Sequence, residues 1–275
     1  MLKDKTVLVT GAGSLGRKLV KKLLDEGVRV VRVLDNSEHA LFKLKMELES
    51  RNVRLLLGDV TSYDRVEFAM DGCHHVIHTC ANKFVDLIEY NPFQAISTNI
   101  LGTINVVKAA MRLSSVEKAV YISSDKAVEP SSTYGMTKAI GERIFLWASR
   151  VSEKAFSIVR FPNFMPSDGS VFDVWEEQIA RGEPLTVTDR RMRRFFIPLD
   201  TAASLTVKAL KMCSGGEILI PKKVEEHSIL SLAKKFKKEI RIVGRRPGEK
   251  LREKLMTEEE KSKAFEVEDF WLIKE

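Results

Sequence analysis

Short apolar runs rich in β-branched residues recur through the first 160 residues and alternate with longer amphipathic stretches. The longer stretches repeat their apolar positions with the period of a helix, whereas the short runs are continuously apolar. Continuous apolar strands separated by helices are typical of a parallel sheet covered on both faces. We therefore predict an α/β fold with a Rossmann-type, doubly wound parallel sheet. The predicted strands are 6–10, 28–34, 53–57, 76–79, 119–123 and 156–160, and the predicted helices are 14–26, 38–50, 63–70, 93–113 and 134–152.

The alternation weakens after residue 160, where prolines and glycines interrupt the chain. The pattern there predicts helices at 171–181, 200–213 and 228–238, strands at 217–220 and 240–243, and then a charged tail. We find no internal repeat or low-complexity segment. We expect a Rossmann domain over residues 1–160 and a small C-terminal substrate-binding lobe over 161–275, interleaved with the last sheet elements and the tail.

Composition limits the classes of partner. With 44% hydrophobic and 30% charged residues, the chain is neither disordered nor membrane-spanning in character, and no apolar run approaches the roughly 20 residues of a membrane span. The formal net charge of +7 favours an anionic ligand, for which a small phosphate-bearing molecule serves as well as nucleic acid. The three cysteines lack metal or disulfide spacing, and no signal peptide precedes the first strand. We expect a cytoplasmic protein without a structural metal.

A glycine-rich segment, Thr10-Gly-Ala-Gly-Ser-Leu-Gly16, follows the first predicted strand and opens a helix. This is the setting of the GxGxxG fingerprint, in which the glycines let the backbone approach a pyrophosphate at the helix N-terminus. A glycine turn that serves packing alone is the alternative. Asp35 ends the second predicted strand about 20 residues on, where a carboxylate can hold ribose hydroxyls. Together they predict a dinucleotide site.

The acid at position 35 disfavours a 2′-phosphate, so we expect NAD as the cofactor, while Arg17 and Lys18 keep NADP open. Further candidates follow the next strands, although Gly58-Asp59 is also an ordinary turn sequence. The predicted cofactor-binding residues are Gly11, Gly13, Ser14, Leu15, Gly16, Asp35, Asn36, Asp59, Val60, Cys80, Ala81, Lys83, Asn99, Ser123, Tyr134 and Lys138.

Tyr134 and Lys138 have the YxxxK spacing, which places both side chains on one helical face. A lysine ammonium beside a phenol lowers the pKa of the phenol and lets it act as a base near neutral pH. The pair follows the fifth predicted strand, which ends at Ser123 and Ser124, as in extended short-chain dehydrogenases.

The longer string from Ile122 to Lys138, ISSDKAVEPSSTYGMTK, resembles the UDP-N-acetylglucosamine 4,6-dehydratases of the polysaccharide-biosynthesis and flagellin-glycosylation group. Further stretches agree in the same order. They are Asn82-Lys83, EYNP from Glu89, TNILGT from Thr98, Gly169-Ser-Val171, RFFI from Arg194 and RPGEKL from Arg246. The likeness runs from the first strand to about residue 255.

The resemblance implies a mechanism and a set of residues. Tyr134, with Lys138, removes the proton of the sugar C4 hydroxyl while the nicotinamide accepts the C4 hydride; Lys126 then takes the C5 proton, Asp125 protonates the departing 6-hydroxyl, and the hydride returns to C6. Ser124 completes the implied catalytic set. The implied substrate-binding residues are Lys83, Asn163, Ser170, Arg194, Arg246 and Glu249. A UDP-sugar is the expected partner, the chain is expected to form a homo-oligomer, and no nucleic-acid or membrane partner is expected.

The sequence departs from the family pattern in four places. The glycine loop is one residue shorter than TGxxGxxG. Tyr134 stands where the membrane-bound branch has Met, which places the chain nearer the soluble, C5-inverting branch. Ser124 replaces the usual Thr, and the lobe is trimmed around residues 163–170.

Other interpretations remain open at this point. A UDP-sugar 4-epimerase or dehydrogenase would use Tyr134 but has no need of Asp125 and Lys126, and a sensor would bind NAD(P) without turnover. An adjacent Asp-Lys pair is also a common exposed ion pair. Among the clustered arginines at 190, 191, 193 and 194, only Arg194 is assigned to the diphosphate; the others suit a solvated or nucleic-acid-binding loop. The histidines at 74, 75 and 78 lack metal-ligand spacing.

Overall fold

The structure is a computed structural model that describes residues 2–48 and 50–274; Met1, Glu275 and Glu49, the last of these in the predicted helix 38–50, lie outside the described residues. The strands are β1 (Thr6–Thr10), β2 (Val30–Asp35), β3 (Val53–Leu57), β4 (His75–His78), β5 (Lys118–Ser124), β6 (Ala155–Phe161), β7 (Asn163–Met165), β8 (Leu185–Val187), β9 (Arg193–Pro198), β10 (Glu217–Pro221), β11 (Glu225–Ser228), β12 (Ile240–Ile242), β13 (Phe265–Val267) and β14 (Phe270–Lys274). The helices are α1 (Ser14–Asp25), α2 (Glu38–Glu47), α3 (Tyr63–Met70), α4 (Val85–Tyr90), α5 (Pro92–Ala95), α6 (Gly102–Arg112), α7 (Thr133–Val151), α8 (Val171–Ala180), α9 (Leu199–Met212), α10 (Ile229–Lys234) and α11 (Glu258–Lys263). A π-helical segment (Ile96–Leu101) joins α5 to α6, and a 3₁₀ turn (Asp125–Ala127) follows β5.

Within the described residues, nine strands form the central sheet in the order β13-β14-β10-β6-β5-β4-β1-β2-β3. Seven of them are parallel, and β13 and β14 add an antiparallel edge beside β10. The predicted α/β class with a doubly wound parallel sheet is confirmed. The strand order reverses between β1 and β4, and in open α/β sheets ligands bind outside the carboxyl ends of the strands at such a point.

The first β–α unit shows why these residues form these elements. All five residues of β1 are buried, as a central strand covered on both faces requires. Leu15, Leu19 and Leu23 recur every fourth residue in α1 and are buried against the sheet. The helix ends at Asp25, and Gly27, with a φ of +76°, lets the chain turn back into β2.

Three parts of the second half differ from the sequence-based prediction. The helix predicted at 228–238 ends at Lys234, and β12 pairs with β8 in a small separate sheet. The residues predicted as a charged tail instead include the hairpin β13–β14, and β14 pairs with β10. Phe270 and Ile273 in β14 are buried in the core, so apolar burial outweighs the charges around them.

A buried arginine joins this last part of the chain to the sheet. Arg160 on β6 donates to both carboxylate oxygens of Glu142 on α7, at 2.9 and 2.7 Å. It also donates to both oxygens of Glu260 on α11, at 3.0 and 2.9 Å, and to the carbonyl of Leu255 at 2.9 Å. Although burial disfavours its charge, the two carboxylates raise the pKa of Arg160. The guanidinium therefore links β6, α7 and α11.

Two large apolar clusters hold the central sheet, and a third forms the core of the lobe around Trp175. Leu185, Met192, Phe196 and Leu232 belong to this third cluster. Among residues 2–48 and 50–274, no helix combines the length and the apolar character needed to cross a membrane.

Candidate active site

A cavity of about 570 Å³ lies at the carboxyl ends of the parallel strands and extends under the lobe. Most of the residues predicted for the site line it. From the cofactor set these are Gly11, Gly13, Ser14, Leu15, Gly16, Asp35, Asn36, Cys80, Ala81, Lys83, Ser123, Tyr134 and Lys138. Ser124 and Lys126 line it as well, together with Asn163, Ser170, Arg194, Arg246 and Glu249. Residues that are far apart in sequence thus meet in one place.

The glycine loop has the geometry that a pyrophosphate needs. Gly11 has a φ of +98°, and a Cβ there would lie 2.7 Å from Thr79 Oγ1 and 3.1 Å from the Cys80 nitrogen, so only glycine fits. Gly13 begins α1 with open space around it and with no side chain capping the helix. The first amide groups of α1 are therefore available to an anion. The loop keeps this geometry although it is one residue shorter than the family pattern.

Asp35 is held at the rim of the glycine loop. Its carboxylate accepts hydrogen bonds from the backbone nitrogens of Ala12 at 2.6 Å and Ser37 at 2.7 Å. Arg17 and Lys18, the two cations that favoured NADP, are already paired. Arg17 lies 3.1 Å from Asp168 and 3.4 Å from Glu47, and Lys18 lies 3.2 Å from Asp200. The local charge around Asp35 does not suit an additional phosphate.

A short segment, residues 166–170, crosses from the lobe to the glycine loop. Asp168 accepts from Arg17, its backbone nitrogen donates to Ser14 Oγ at 2.9 Å, and its carbonyl accepts from Lys83 Nζ at 2.6 Å. Although burial raises it, the hydrogen bonds with Ser14 and Arg17 hold the pKa of Asp168 below its usual range. The segment therefore closes the cavity over the N-terminus of α1. Sequence reasoning missed Asp168, because its partners are more than 80 residues away.

Four predicted residues lie outside the cavity lining. Asp59 accepts from Asn36 Nδ2 at 2.9 Å and from the Thr61 backbone nitrogen at 2.8 Å, and Val60 is buried in the core. Asn99, in the π-helical segment, is buried and bonds both to the backbone of Asn82 and to Thr137. Asp59 and Asn99 thus contact Asn36 and Asn82, which line the cavity. The fourth, Asp125, belongs to the network after β5.

Tyr134 and Lys138 lie at the start of α7, which Ser132 caps by accepting from the Gly135 nitrogen at 3.1 Å. A Cβ on Gly135 would lie 2.3 Å from the carbonyl oxygen of Lys126, so glycine lets α7 approach the 3₁₀ turn. This approach brings the tyrosine and the lysine beside the end of β5.

The electrostatics of this pair differ from the sequence-based expectation. Lys138 Nζ donates to the Ile122 carbonyl at 2.6 Å, and burial lowers the pKa of Lys138 to about 7. The pKa of Tyr134 is raised, because the surrounding protein excludes water and the charge of Asp125 adds to that effect, while a hydrogen bond with Ser124 opposes it. The expected lowering by the lysine is therefore wrong for the protein alone: the lysine is directed at a backbone carbonyl.

The Ser124–Asp125–Lys126 segment forms a connected network at the end of β5. Ser124 Oγ donates to Asp125 Oδ1 at 2.9 Å, and Lys126 Nζ donates to the same oxygen at 3.0 Å. Asp125 is fully buried, and its other oxygen, Oδ2, is buried without a hydrogen-bond partner in the described structure. Lys126 reaches the cavity with its side chain 19% exposed. Asp125 and Lys126 are therefore not the exposed surface ion pair that was the alternative interpretation of this sequence.

At the lobe end, three of the predicted substrate-binding residues, Arg194, Arg246 and Glu249, are adjacent. Glu249 lies 3.6 Å from Arg194 and accepts from the Arg246 nitrogen at 3.2 Å. Of the clustered arginines, only Arg194 lines the cavity. The exposed Arg191 bonds to Asp189, and Arg193 pairs with Glu226 at 3.1 Å.

Sequence reasoning also missed the apolar wall of the cavity. Phe164, Val187, Met192, Phe196 and Val243 line it, and they come from four segments of the lobe, at β7, β8, β9 and the end of β12. No spacing in the sequence connects them, because the lobe assembles them only when β7, β8 and β9 come together.

The histidines have structural roles. His78 is buried between the hydroxyls of Thr10 and Thr103, at 2.6 and 3.0 Å, and burial lowers the pKa of His78 to about 3. In the described part of the chain, no group of three or more histidine, cysteine, aspartate or glutamate side chains is arranged to hold a metal ion.

Comparison with known proteins places this site in context. The sequence profile of a family described as "Polysaccharide biosynthesis protein" matches residues 7–275. The chain is 33% identical to the UDP-N-acetylglucosamine 4,6-dehydratase (inverting) of Campylobacter jejuni, over 99% of this chain and 84% of that protein. It is also 33% identical to the UDP-glucose 4-epimerase of Rickettsia rickettsii, with the same coverage of both. The solved dTDP-glucose 4,6-dehydratase DesIV of Streptomyces venezuelae, with NAD and TYD bound, has the same fold: the TM-score is 0.85 at 21% identity, over 94% of this chain and 90% of that one.

Proposed function

The chain belongs to the polysaccharide biosynthesis protein family, within the extended short-chain dehydrogenases, and on this basis we propose that it is an NAD-dependent nucleotide-sugar 4,6-dehydratase. Its proposed substrate is UDP-N-acetylglucosamine or a similar UDP-hexose. One observation carries the proposal. Lys126 enters the same cavity as Tyr134, and both are linked to the buried Asp125, directly or through Ser124. A 4-epimerase needs no acid or base beyond those that act at C4.

The residues present fit NAD. Gly11 and the uncapped start of α1 suit the pyrophosphate, Asp35 suits the adenosine ribose, and Lys138 lies at the far end of the same cavity. When bound, NAD supplies a hydride acceptor at C4 and the hydride that C6 receives. DesIV, which shares the fold, was solved with NAD, and this agrees with the proposal.

The first part of the proposed reaction is oxidation at C4. Tyr134 accepts the proton of the C4 hydroxyl, and its hydrogen bond with Ser124 counteracts the surroundings that raise its pKa. The pKa of Lys138 is about 7, so Lys138 can gain or lose a proton when the charge of the site changes during the reaction.

The second part is elimination of water. A ketone at C4 acidifies the C5 proton, which Lys126 removes with its amine, and the departing 6-hydroxyl takes a proton from Asp125. Asp125 is fully buried and accepts from the amine of Lys126 at 3.0 Å, so the proposed acid and base of the elimination lie side by side. Addition of the hydride to C6 is matched by addition of a proton to C5, which replaces the one that Lys126 removed. The proton lost from the C4 hydroxyl balances the proton that leaves with the water, so the net reaction is dehydration.

The equally similar epimerase of Rickettsia rickettsii makes 4-epimerisation a second candidate. Product analysis separates the two activities. We expect the protein, supplied with NAD and UDP-N-acetylglucosamine, to form a UDP-4-keto-6-deoxy-hexosamine that is lighter than the substrate by one water. Mass spectrometry and NMR of the product test this. A product of unchanged mass with inverted C4 would establish the epimerase instead, and no product with any UDP-hexose would support a sensor.

The cofactor preference gives a separate prediction. NAD should bind more tightly than NADP, and Asp35→Ala should weaken NAD binding about 10- to 100-fold, because hydrogen bonds to a charged group contribute about 1.5–3 kcal/mol. The affinity for NADP should change little, so the difference in affinity between the two cofactors should become smaller. Fluorescence titration of both cofactors measures this, and Asp64→Ala, at an exposed helix start outside the cavity, is the matched control. Tighter binding of NADP by the wild type would contradict the assignment.

A further inference from the structure

Asn163 bridges the lobe and the residues after β5. It is the first residue of β7, directly after Phe161 and Pro162, and it pairs with Phe196 of β9. Its Nδ2 donates to the carbonyl of Phe195 at 3.0 Å, and its Oδ1 accepts from Lys126 Nζ at 3.2 Å. Because a carbonyl can only accept, the first bond fixes the orientation of the amide and directs Oδ1 at the lysine.

The amine of Lys126 therefore has two oxygen acceptors, Asp125 Oδ1 at 3.0 Å and Asn163 Oδ1 at 3.2 Å. A neutral lysine amine carries two N–H bonds and one lone pair. When both N–H bonds are donated to these oxygens, the lone pair takes a remaining tetrahedral direction. One acceptor alone would leave the amine free to rotate, and the second, from another part of the fold, removes that freedom.

The chemical type of the second acceptor also matters. A carboxylate at position 163 would add a second negative charge beside Lys126 and favour its ammonium form. An amide oxygen accepts the same hydrogen bond without a full charge. Asparagine therefore orients the amine at a smaller cost to the neutral form that a base requires.

We propose that Asn163 is a positioning residue that fixes the amine of Lys126 for removal of the C5 proton, and that it acts through the lysine and not by holding the sugar nucleotide. The proposal rests on the proposed dehydratase function. It differs from the substrate-binding role that the family resemblance implies for this residue.

Kinetics separate the two roles. Asn163→Leu, close in size but without an acceptor, should lower kcat for dehydration about 10- to 100-fold while KM changes less than twofold. Exchange of the C5 proton into deuterated water should slow in parallel, whereas reduced nicotinamide should still form. Asn163→Asp should shift the rising limb of the kcat–pH profile to higher pH by about one unit or more.

Asn91→Asp serves as the matched control, because the amide of Asn91 also donates to a backbone carbonyl, that of Leu87 at 2.9 Å, but outside the cavity. Its pH profile should equal that of the wild type. A raised KM with unchanged kcat in Asn163→Leu would overturn the proposal and assign the residue to the substrate.

A second measurement does not depend on the reaction. The pKa of Lys126, followed by NMR of ¹³C-labelled lysine and assigned with Lys126→Arg, should rise in Asn163→Asp relative to the wild type. An unchanged titration would overturn the positioning role even if the wild type proved to be an epimerase. Failure of the proposed function appears instead in the product of the wild type.

Discussion

Lys126→Ala is expected to lose dehydration while it retains cofactor and substrate binding and oxidation at C4. The reason is positional: Lys126 reaches the cavity beside Asp125, whereas the hydride step depends on Tyr134 and Lys138. Removing a positioned acid or base costs about 10²–10⁴-fold in rate, far more than a packing defect at a side chain with access to the cavity. Rapid mixing with UDP-N-acetylglucosamine should show nicotinamide absorbance at 340 nm that rises and persists.

Three further variants test the interpretation of this result. Tyr134→Phe should lose both the absorbance change and the product, because it lacks the base for the first step. Lys254→Ala removes a lysine of similar charge that pairs with Glu129 on the surface, and it should behave as wild type. Asp125→Asn should resemble Lys126→Ala but keep C5 proton exchange. Wild-type dehydration by both Lys126→Ala and Asp125→Asn would exclude the dehydratase mechanism.

The parts of the site that the sequence predicted well depend on local chain geometry. The glycine loop needs only a strand, a turn and a helix start, and Gly11 with its positive φ is visible as a motif. The face shared by Tyr134 and Lys138 follows from helical spacing. The parallel, doubly wound sheet follows from the alternation of apolar strands and amphipathic helices, so the fold class was predictable.

The parts that the sequence did not predict depend on contacts between distant segments. Asp168 meets Ser14 across 154 residues, and Asn163 meets Lys126 from a short strand of the lobe. Even the pKa of Tyr134 depends on such contacts, since a lysine four residues away proves less important than the loss of solvent and the nearby Asp125. Spacing identifies candidates, whereas burial and hydrogen-bond direction determine what each of them does.

The C-terminal segment illustrates the same limit for stability. Its many charges predicted a solvated tail, yet Glu260 of α11 reaches a buried arginine in the middle of the central sheet. A charge pattern cannot distinguish an exposed glutamate from one that completes a buried ion pair 100 residues away. The contribution of this contact can be measured directly.

Arg160→Met is expected to lower the free energy of unfolding by about 3–5 kcal/mol at pH 7, because removing one partner of a buried ion pair leaves an uncompensated charge. Glu142 is that charge: its side chain is 7% exposed, whereas that of Glu260 is 21% exposed and has access to water. Chemical denaturation measures the loss. Arg181→Met, which breaks an exposed pair with Glu177, should change stability by less than about 0.5 kcal/mol.

The dependence of this loss on pH identifies its cause. An unpaired buried carboxylate destabilises the fold only while it is charged, so the loss in Arg160→Met should be larger at pH 8 than at pH 4. The double variant Arg160→Met/Glu142→Leu removes the unpaired charge and should recover much of the stability at pH 7. A loss that is the same at pH 4 and pH 8, and that the second substitution does not reduce, would mean that Arg160 stabilises the fold by packing and not by charge.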